Sequence, residues 1–149
     1  MKSIIKPLWK PPLLNEWADP LIQELYWPNR WRMIMTCLCL SRTSGKQVRP
    51  ILPQLFVQWP DAFSMSTAKE ETLYSLIRPL GFANKRVKTF KRFSAEYLEK
   101  DWKEIKDLYG CGQYAQDSDD IFFMGRWRHT YPSDGELKRY LDFVRGNLS

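Results

Sequence analysis

The sequence predicts an all-α fold. Three observations predict it. From Leu21 onward apolar residues recur at helical spacing, no run of period-2 alternation appears, and Pro, Gly and capping residues divide the chain into segments of helical length. Residues 1–19 read as an extended arm packed on the body. Pro7, Pro11, Pro12 and Pro20 forbid a continuous helix there, while Leu8, Trp9, Leu13, Leu14 and Trp17 offer apolar surface. Leu21 to Trp27 is a short helix stopped by Pro28. Asn29 is placed to N-cap a buried, mostly apolar helix from Arg30 to Leu40. Thr43 and Ser44 cap a helix from about Gly45 to Trp59, with Pro50 at a kink and Pro53 inside it.

Thr67 with Glu70 forms a capping box that opens a helix from Ala68 to Ile77, and Pro79 and Gly81 stop it. Asn84 to Leu98 is basic and amphipathic. Val87, Phe90, Phe93 and Tyr97 share one side, and Lys85, Arg86, Lys88, Lys91 and Arg92 cover the rest as a solvated or a binding face. A short helix over Trp102 to Leu108 meets the tight turn Gly110-Cys111-Gly112. A helical segment follows over Asp117 to Met124, then a loop from Gly125 to Ser133 and a last helix from Gly135 to Val144. Asp119 and Asp120 read as surface residues and His129 as a loop residue.

The 149 residues suggest one domain, and no internal repeat divides them. Hydrophobic residues at 44% and charged residues at 27% exclude a disordered chain. The net charge of +6, from 23 basic and 17 acidic residues, points to an anionic partner. Three cysteines, Cys37, Cys39 and Cys111, are too few and too oddly spaced for a disulfide framework, which favours a reducing compartment. With a single histidine, they also fall short of a zinc site of the usual kind or a four-cysteine iron–sulfur cluster. The longest apolar run, Met33 to Leu40, is far below the roughly 20 residues of a membrane span.

Two motifs carry chemistry. In Leu108-Tyr109-Gly110-Cys111-Gly112-Gln113-Tyr114 two glycines bracket one residue between helices. Glycine there permits positive φ and close approach of a backbone, and the amides opening the next helix attract phosphate; a plain helix–helix turn uses the same residues. Asp134, in Pro132-Ser133-Asp134-Gly135-Glu136-Leu137, stands before a helix, where Asp is ordinarily an N-cap.

Together, this hairpin and the carboxylate about 20 residues beyond it resemble the helix–hairpin–helix DNA glycosylase superfamily. The resemblance is closest to the branch of glycosylase domains found with methyl-CpG-binding domains in thymine glycosylases. Further matching stretches are Leu21-Ile22-Gln23-Glu24, Ser41-Arg42-Thr43-Ser44-Gly45-Lys46, Arg78-Pro79-Leu80-Gly81, Phe93-Ser94-x-Glu96-Tyr97-Leu98 and Asp117-Ser118. They fall in order from about residue 8 to residue 144.

The resemblance implies a compact helical fold with the active-site cleft between two lobes. It also implies a monofunctional enzyme that flips and excises thymine, uracil or a related modified pyrimidine opposite guanine. Asp134 matches the catalytic aspartate. Tyr114 matches a pocket tyrosine and occupies the place of the nucleophilic lysine of lyase members. Gln23, with the backbone near Ile22, matches the base pocket. Arg42 matches the plug that fills the gap in the duplex, and Phe82 matches a second wedge that is aliphatic elsewhere; core packing after the Gly81 turn is the other reading of Phe82. Gly110, Gly112, Gln113, Lys46, Lys85, Arg86 and Lys88 match phosphate contacts, which predicts salt-dependent binding.

The sequence departs from the branch at Gly135 and Glu136, where His and Lys are usual, at Gln113 for Lys, at Ala115-Gln116 for Gly-Asn, and at Pro53. The implied partner is double-stranded DNA with a mismatched or damaged pyrimidine, bound by a monomer inside the cell, without a membrane. No cofactor is implied beyond a monovalent cation at the hairpin. Two other readings are a helix–hairpin–helix DNA-binding module with weak catalysis and a helical interaction protein that binds no DNA.

Overall fold

The computed structural model describes residues 6–12 and 20–148. Eight α-helices are present among them: α1 (Arg30–Leu40), α2 (Gly45–Val48), α3 (Ile51–Gln58), α4 (Ala62–Ser66), α5 (Glu70–Ile77), α6 (Ala83–Glu99), α7 (Gln113–Phe122) and α8 (Gly135–Leu148). Short 3-10 turns cover Ile22–Leu25, Arg78–Leu80, Ile105–Asp107 and Trp127–His129, and the described residues contain no strand.

Local chemistry accounts for most boundaries. Asn29 caps α1, its Oδ1 accepting from Arg32 N at 3.0 Å. Ser44 caps α2, accepting from Gln47 N at 3.3 Å. The single helix expected over Gly45 to Trp59 is in fact α2 and α3, broken at Arg49-Pro50. Pro50 caps α3 and Pro53 is its third residue, where the missing N–H has no intrahelical acceptor to lose.

The capping box expected at Thr67 and Glu70 does not form. Thr67 closes α4 instead, its Oγ1 turned back towards Phe63 O at 3.1 Å, and α5 begins at Glu70 without a side-chain cap. The box belongs to α4: Asp61 Oδ1 accepts from Ser64 N at 2.8 Å and Ser64 Oγ accepts from Asp61 N at 3.2 Å. The helix expected over Trp102 to Leu108 is only the turn Ile105–Asp107, and α7 starts at Gln113 rather than Asp117, directly on the hairpin.

Two apolar clusters form the interior. The larger is built by α1 to α6 around Ile34, Leu52, Leu55, Leu73, Phe90 and Phe93. The smaller gathers Met33, Phe122 and Trp127 with Leu137, Tyr140, Leu141 and Val144 of α8, which recur at the i, i+3, i+4, i+7 spacing of one helix face. Tyr26 and Tyr114 pack against both clusters. The described part of the N-terminal arm lies on the smaller one. Leu8 N donates to Phe123 O and Trp9 Nε1 to Ile121 O, each at 2.8 Å, and the Trp9 ring stacks on Trp127. Residues 13–19 of the expected arm lie outside the described residues.

A buried ion pair joins α1 to α7. Arg30 donates through Nε and Nη2 to both oxygens of Asp119, at 2.8 and 2.7 Å, and its guanidinium lies over the Trp102 and Phe123 rings. The surface placement expected of Asp119 and Asp120 is therefore wrong. Asp119 is 1% exposed, and Asp120 is half-buried against Arg126. Burial pushes the Asp119 carboxyl up, against the pull of the bidentate Arg30.

Candidate active site

Between the two apolar clusters runs a cleft of about 1070 Å³. It is lined by the turn at Ile22 and Gln23, by Cys37 and Leu38 near the end of α1, by the hairpin and the start of α7, and by the start of α8. The structure thus brings Gln23, Tyr114 and Asp134 into one cavity from three distant stretches of sequence. No lysine lines it among the described residues.

Gln23 is 2% exposed, held by the 3-10 turn whose first residue, Ile22, is also buried and lines the cleft. Its Nε2 donates to Tyr114 Oη at 2.7 Å and to Ser118 Oγ at 3.3 Å. Two residues one turn apart on α7 therefore orient one amide. The Tyr114 phenol is pushed above its ordinary range by burial, and by the charges of Cys37 and Asp134. It stays protonated at neutral pH. Burial likewise pushes the Cys37 thiol up to about 12.

Asp134 sits immediately before α8, and its Oδ2 accepts from Leu137 N at 2.9 Å. The N-cap and the functional readings of this residue are compatible. The cap anchors one oxygen, and the carboxylate as a whole lines the cleft. Two residues on, Glu136 accepts from Arg139 Nε at 2.7 Å, and both line the cleft mouth. Glu136 thus carries its own counter-charge in an i, i+3 pair of α8.

Gly110 has φ +80°, and a Cβ there would lie 2.5 Å from Thr89 Cγ2. Gly112, by contrast, has ordinary φ and open space around its Cα, so its backbone is exposed without being strained. The first bond of α7 runs from Gln116 N to Gly112 O, so the amides of Gln113, Tyr114 and Ala115 precede the intrahelical ladder. The Gln113 side chain folds onto Asp117 Oδ1 at 2.7 Å.

Arg42 and Phe82 are the only non-glycine residues with positive φ among those described, at +57° and +53°. Both are exposed, and with Lys85, Arg86, Thr89 and Gly110 they line a second hollow of about 280 Å³. Phe82 is 58% exposed, which removes core packing as its role. Positive φ in a bulky residue costs free energy, and such strain collects at functional sites. Lys46, Lys85 and Lys88 are exposed, as phosphate contacts require. Arg86 is not. It is 6% exposed, and its guanidinium donates to carbonyls of Gly81, Leu38, Cys39 and Ser41 and to the Thr43 hydroxyl, so its placement among the phosphate contacts is corrected. Among the described residues no group of three His, Cys, Asp or Glu side chains is placed to hold a metal ion.

Comparison with known proteins agrees with this architecture. Residues 35–147 match the HhH-GPD superfamily of base excision DNA repair proteins, a stretch that holds Arg42, Phe82, the hairpin and Asp134. The chain is 39% identical over 136 residues to a methyl-CpG-binding domain protein 4-like protein of Arabidopsis thaliana, covering 88% of the chain and 31% of that protein. It is 26% identical over 102 residues to a thymine-DNA glycosylase of Aeropyrum pernix, covering 62% and 46%. It is 28% identical over 92 residues to a thymine/uracil-DNA glycosylase of Pyrobaculum aerophilum, covering 57% and 40%. The chain thus spans from about a third to about half of the length of these relatives. The fold matches the structure of a thermostable thymine-DNA glycosylase with a TM-score of 0.66 at 18% identity, over 74% of this chain and 54% of that one. Sequence and fold converge on one assignment: the chain belongs to the HhH-GPD superfamily of base excision DNA repair proteins.

Proposed function

We propose that the chain is a monofunctional DNA glycosylase that removes thymine, uracil or a related modified pyrimidine opposite guanine, leaving an abasic site. The observation that carries this reading is the Gln23–Tyr114 hydrogen bond in the same cleft as Asp134, with no lysine among the described lining residues. A target pyrimidine inside a stacked duplex is out of reach of Asp134, so the nucleotide rotates into the cleft. Unstacking costs a few kcal/mol and least at a mismatch. Arg42 fills the vacated place in the stack, where its planar guanidinium faces the orphan guanine. Phe82 wedges the neighbouring base step.

In the cleft the Gln23 amide and the Tyr114 hydroxyl meet the base edge. As the bond between C1′ and the base nitrogen breaks, its electron pair leaves with the base and C1′ gains oxocarbenium character. The Asp134 carboxylate stabilises that charge and orients the water that adds to C1′, accepting a proton from it as the new C–O bond forms. A Schiff base needs an amine at C1′, and Tyr114 supplies none, so strand cleavage by β-elimination does not follow. The relatives named for thymine and uracil support the choice of base.

The test is excision from duplexes carrying G·T, G·U and G·C pairs, followed by alkali to reveal abasic sites. Cleavage at T or U only after alkali is expected; cleavage before alkali would refute the monofunctional reading, and none at all would refute the glycosylase. Asp134→Asn is expected to lower turnover by roughly 10²-fold or more while duplex affinity persists.

A further inference from the structure

We propose that Arg86 is a positioning residue for duplex opening: one buried guanidinium sets the two strained turns that present Arg42 and Phe82. The inference rests on the glycosylase reading above. Arg86 projects from the first turns of α6 to the back of both turns. Its Nη1 donates to Leu38 O at 2.9 Å, which also accepts from the Ser41 amide at 3.4 Å, and to Cys39 O at 3.3 Å, both carbonyls of the last turn of α1. Its Nη2 donates to Ser41 O at 2.8 Å and to the Thr43 hydroxyl, on either side of Arg42. Its Nε donates to Gly81 O at 2.8 Å, the carbonyl immediately before Phe82. A second tie joins the same turns, from Thr43 Oγ1 to Leu80 O at 3.2 Å.

The two positive-φ residues need such a scaffold. Neither Arg nor Phe adopts this backbone region without cost, and both side chains are exposed, so their own packing does not hold it. Only a planar fork with five donors reaches three separate backbone segments at once; the point charge of a lysine does not. The bonds fix where the plug and the wedge stand relative to each other, and neither Gln23, Tyr114 nor Asp134 is bonded to the clamp. Leu38, Ser41 and Thr43, which the clamp holds, also line the cleft, so the test must separate opening of the duplex from cutting of the glycosidic bond.

The experiment compares uracil excision from a paired G·U duplex with excision of the same uracil in an unpaired bubble, where the nucleotide is already unstacked. Arg86→Lys and Arg86→Met are expected to lose about tenfold or more on the duplex, while activity on the bubble stays within about twofold of the unsubstituted protein. Thr43→Val keeps the guanidinium but removes the hydroxyl, and with it both the second tie and one Nη2 contact of the clamp, and a smaller loss confined to the duplex is expected of it. It decides the matter should the Arg86 variants fail to fold. Equal losses on both substrates, or no loss on either, overturn the proposal. Absence of excision by the unsubstituted protein on both substrates refutes the glycosylase reading instead.

Discussion

At the scale of single residues, the two hairpin glycines look interchangeable in the sequence and differ in the structure. Gly110 combines φ +80° with a Thr89 methyl where its Cβ would be, whereas Gly112 has neither constraint. Gly110→Ala is expected to destabilise the fold by about 1–3 kcal/mol, read as a lower denaturant midpoint, and Gly112→Ala to leave the midpoint unchanged. Any loss of DNA affinity in Gly112→Ala then reports backbone approach to phosphate and not folding. Asp134, Tyr114, Gln23 and Arg42 were nominated as candidate site residues from residue type and order through a family resemblance, and the structure brings the first three to one cleft. Arg86 was misread because nothing in a basic, amphipathic run distinguishes the cation that turns inward. Its partners lie as far as 48 positions back in the chain.

At the scale of elements, α6 and α8 lie close to where the hydrophobic period puts them, because each buries one regular face, and α1 lies where its Asn29 cap and mostly apolar run put it, buried nearly all round. α7 departs from that rule. It is buried nearly all round, and Gln116, Asp117, Ser118 and Asp119 are among the buried residues, a polar run that in sequence reads as exposed surface. The Arg30–Asp119 pair makes this possible and ties α1, which supplies Cys37 and Leu38 to the cleft, to α7, which supplies Tyr114. Asp119→Ala is expected to cost about 3–5 kcal/mol in chemical denaturation, because it removes the bidentate carboxylate from a buried guanidinium. Joint replacement of Arg30 and Asp119 by Met and Leu is expected to recover much of that loss. The error at Thr67 has a different cause. A hydroxyl between two helices satisfies either the helix behind or the helix ahead, and here it turns to Phe63 behind.

At the scale of the whole molecule, the high aromatic content reflects an interior built from large rings with satisfied polar edges. Trp9, Trp27, Trp31 and Trp102 each donate their indole N–H to a carbonyl or hydroxyl at 2.8 to 3.0 Å. The same burial sets an alkaline limit on stability. The Cys37 and Cys39 thiols and the Tyr97 phenol are pushed up to about 12 in the fold, from ordinary values of 9.0 and 10.0. Between about 9 and about 12 the unfolded chain therefore holds fewer protons than the native one, and stability falls as pH rises. The slope approaches about 1.4 kcal/mol per pH unit for each such group. Denaturant midpoints that decline across the alkaline range check this; a flat profile would refute it. By itself the sequence determined the helical class, the approximate places of α1, α5, α6 and α8 and the basic character, since these follow from local period and composition, and through residue order it nominated the candidate site residues. Only the tertiary structure decided which polar side chains turn inward, where the strain is held and how Gln23, Tyr114 and Asp134 meet. The physical reason is that burial of a charge and closure of a cleft are fixed by partners distant in the chain, as between Arg30 and Asp119, 89 positions apart.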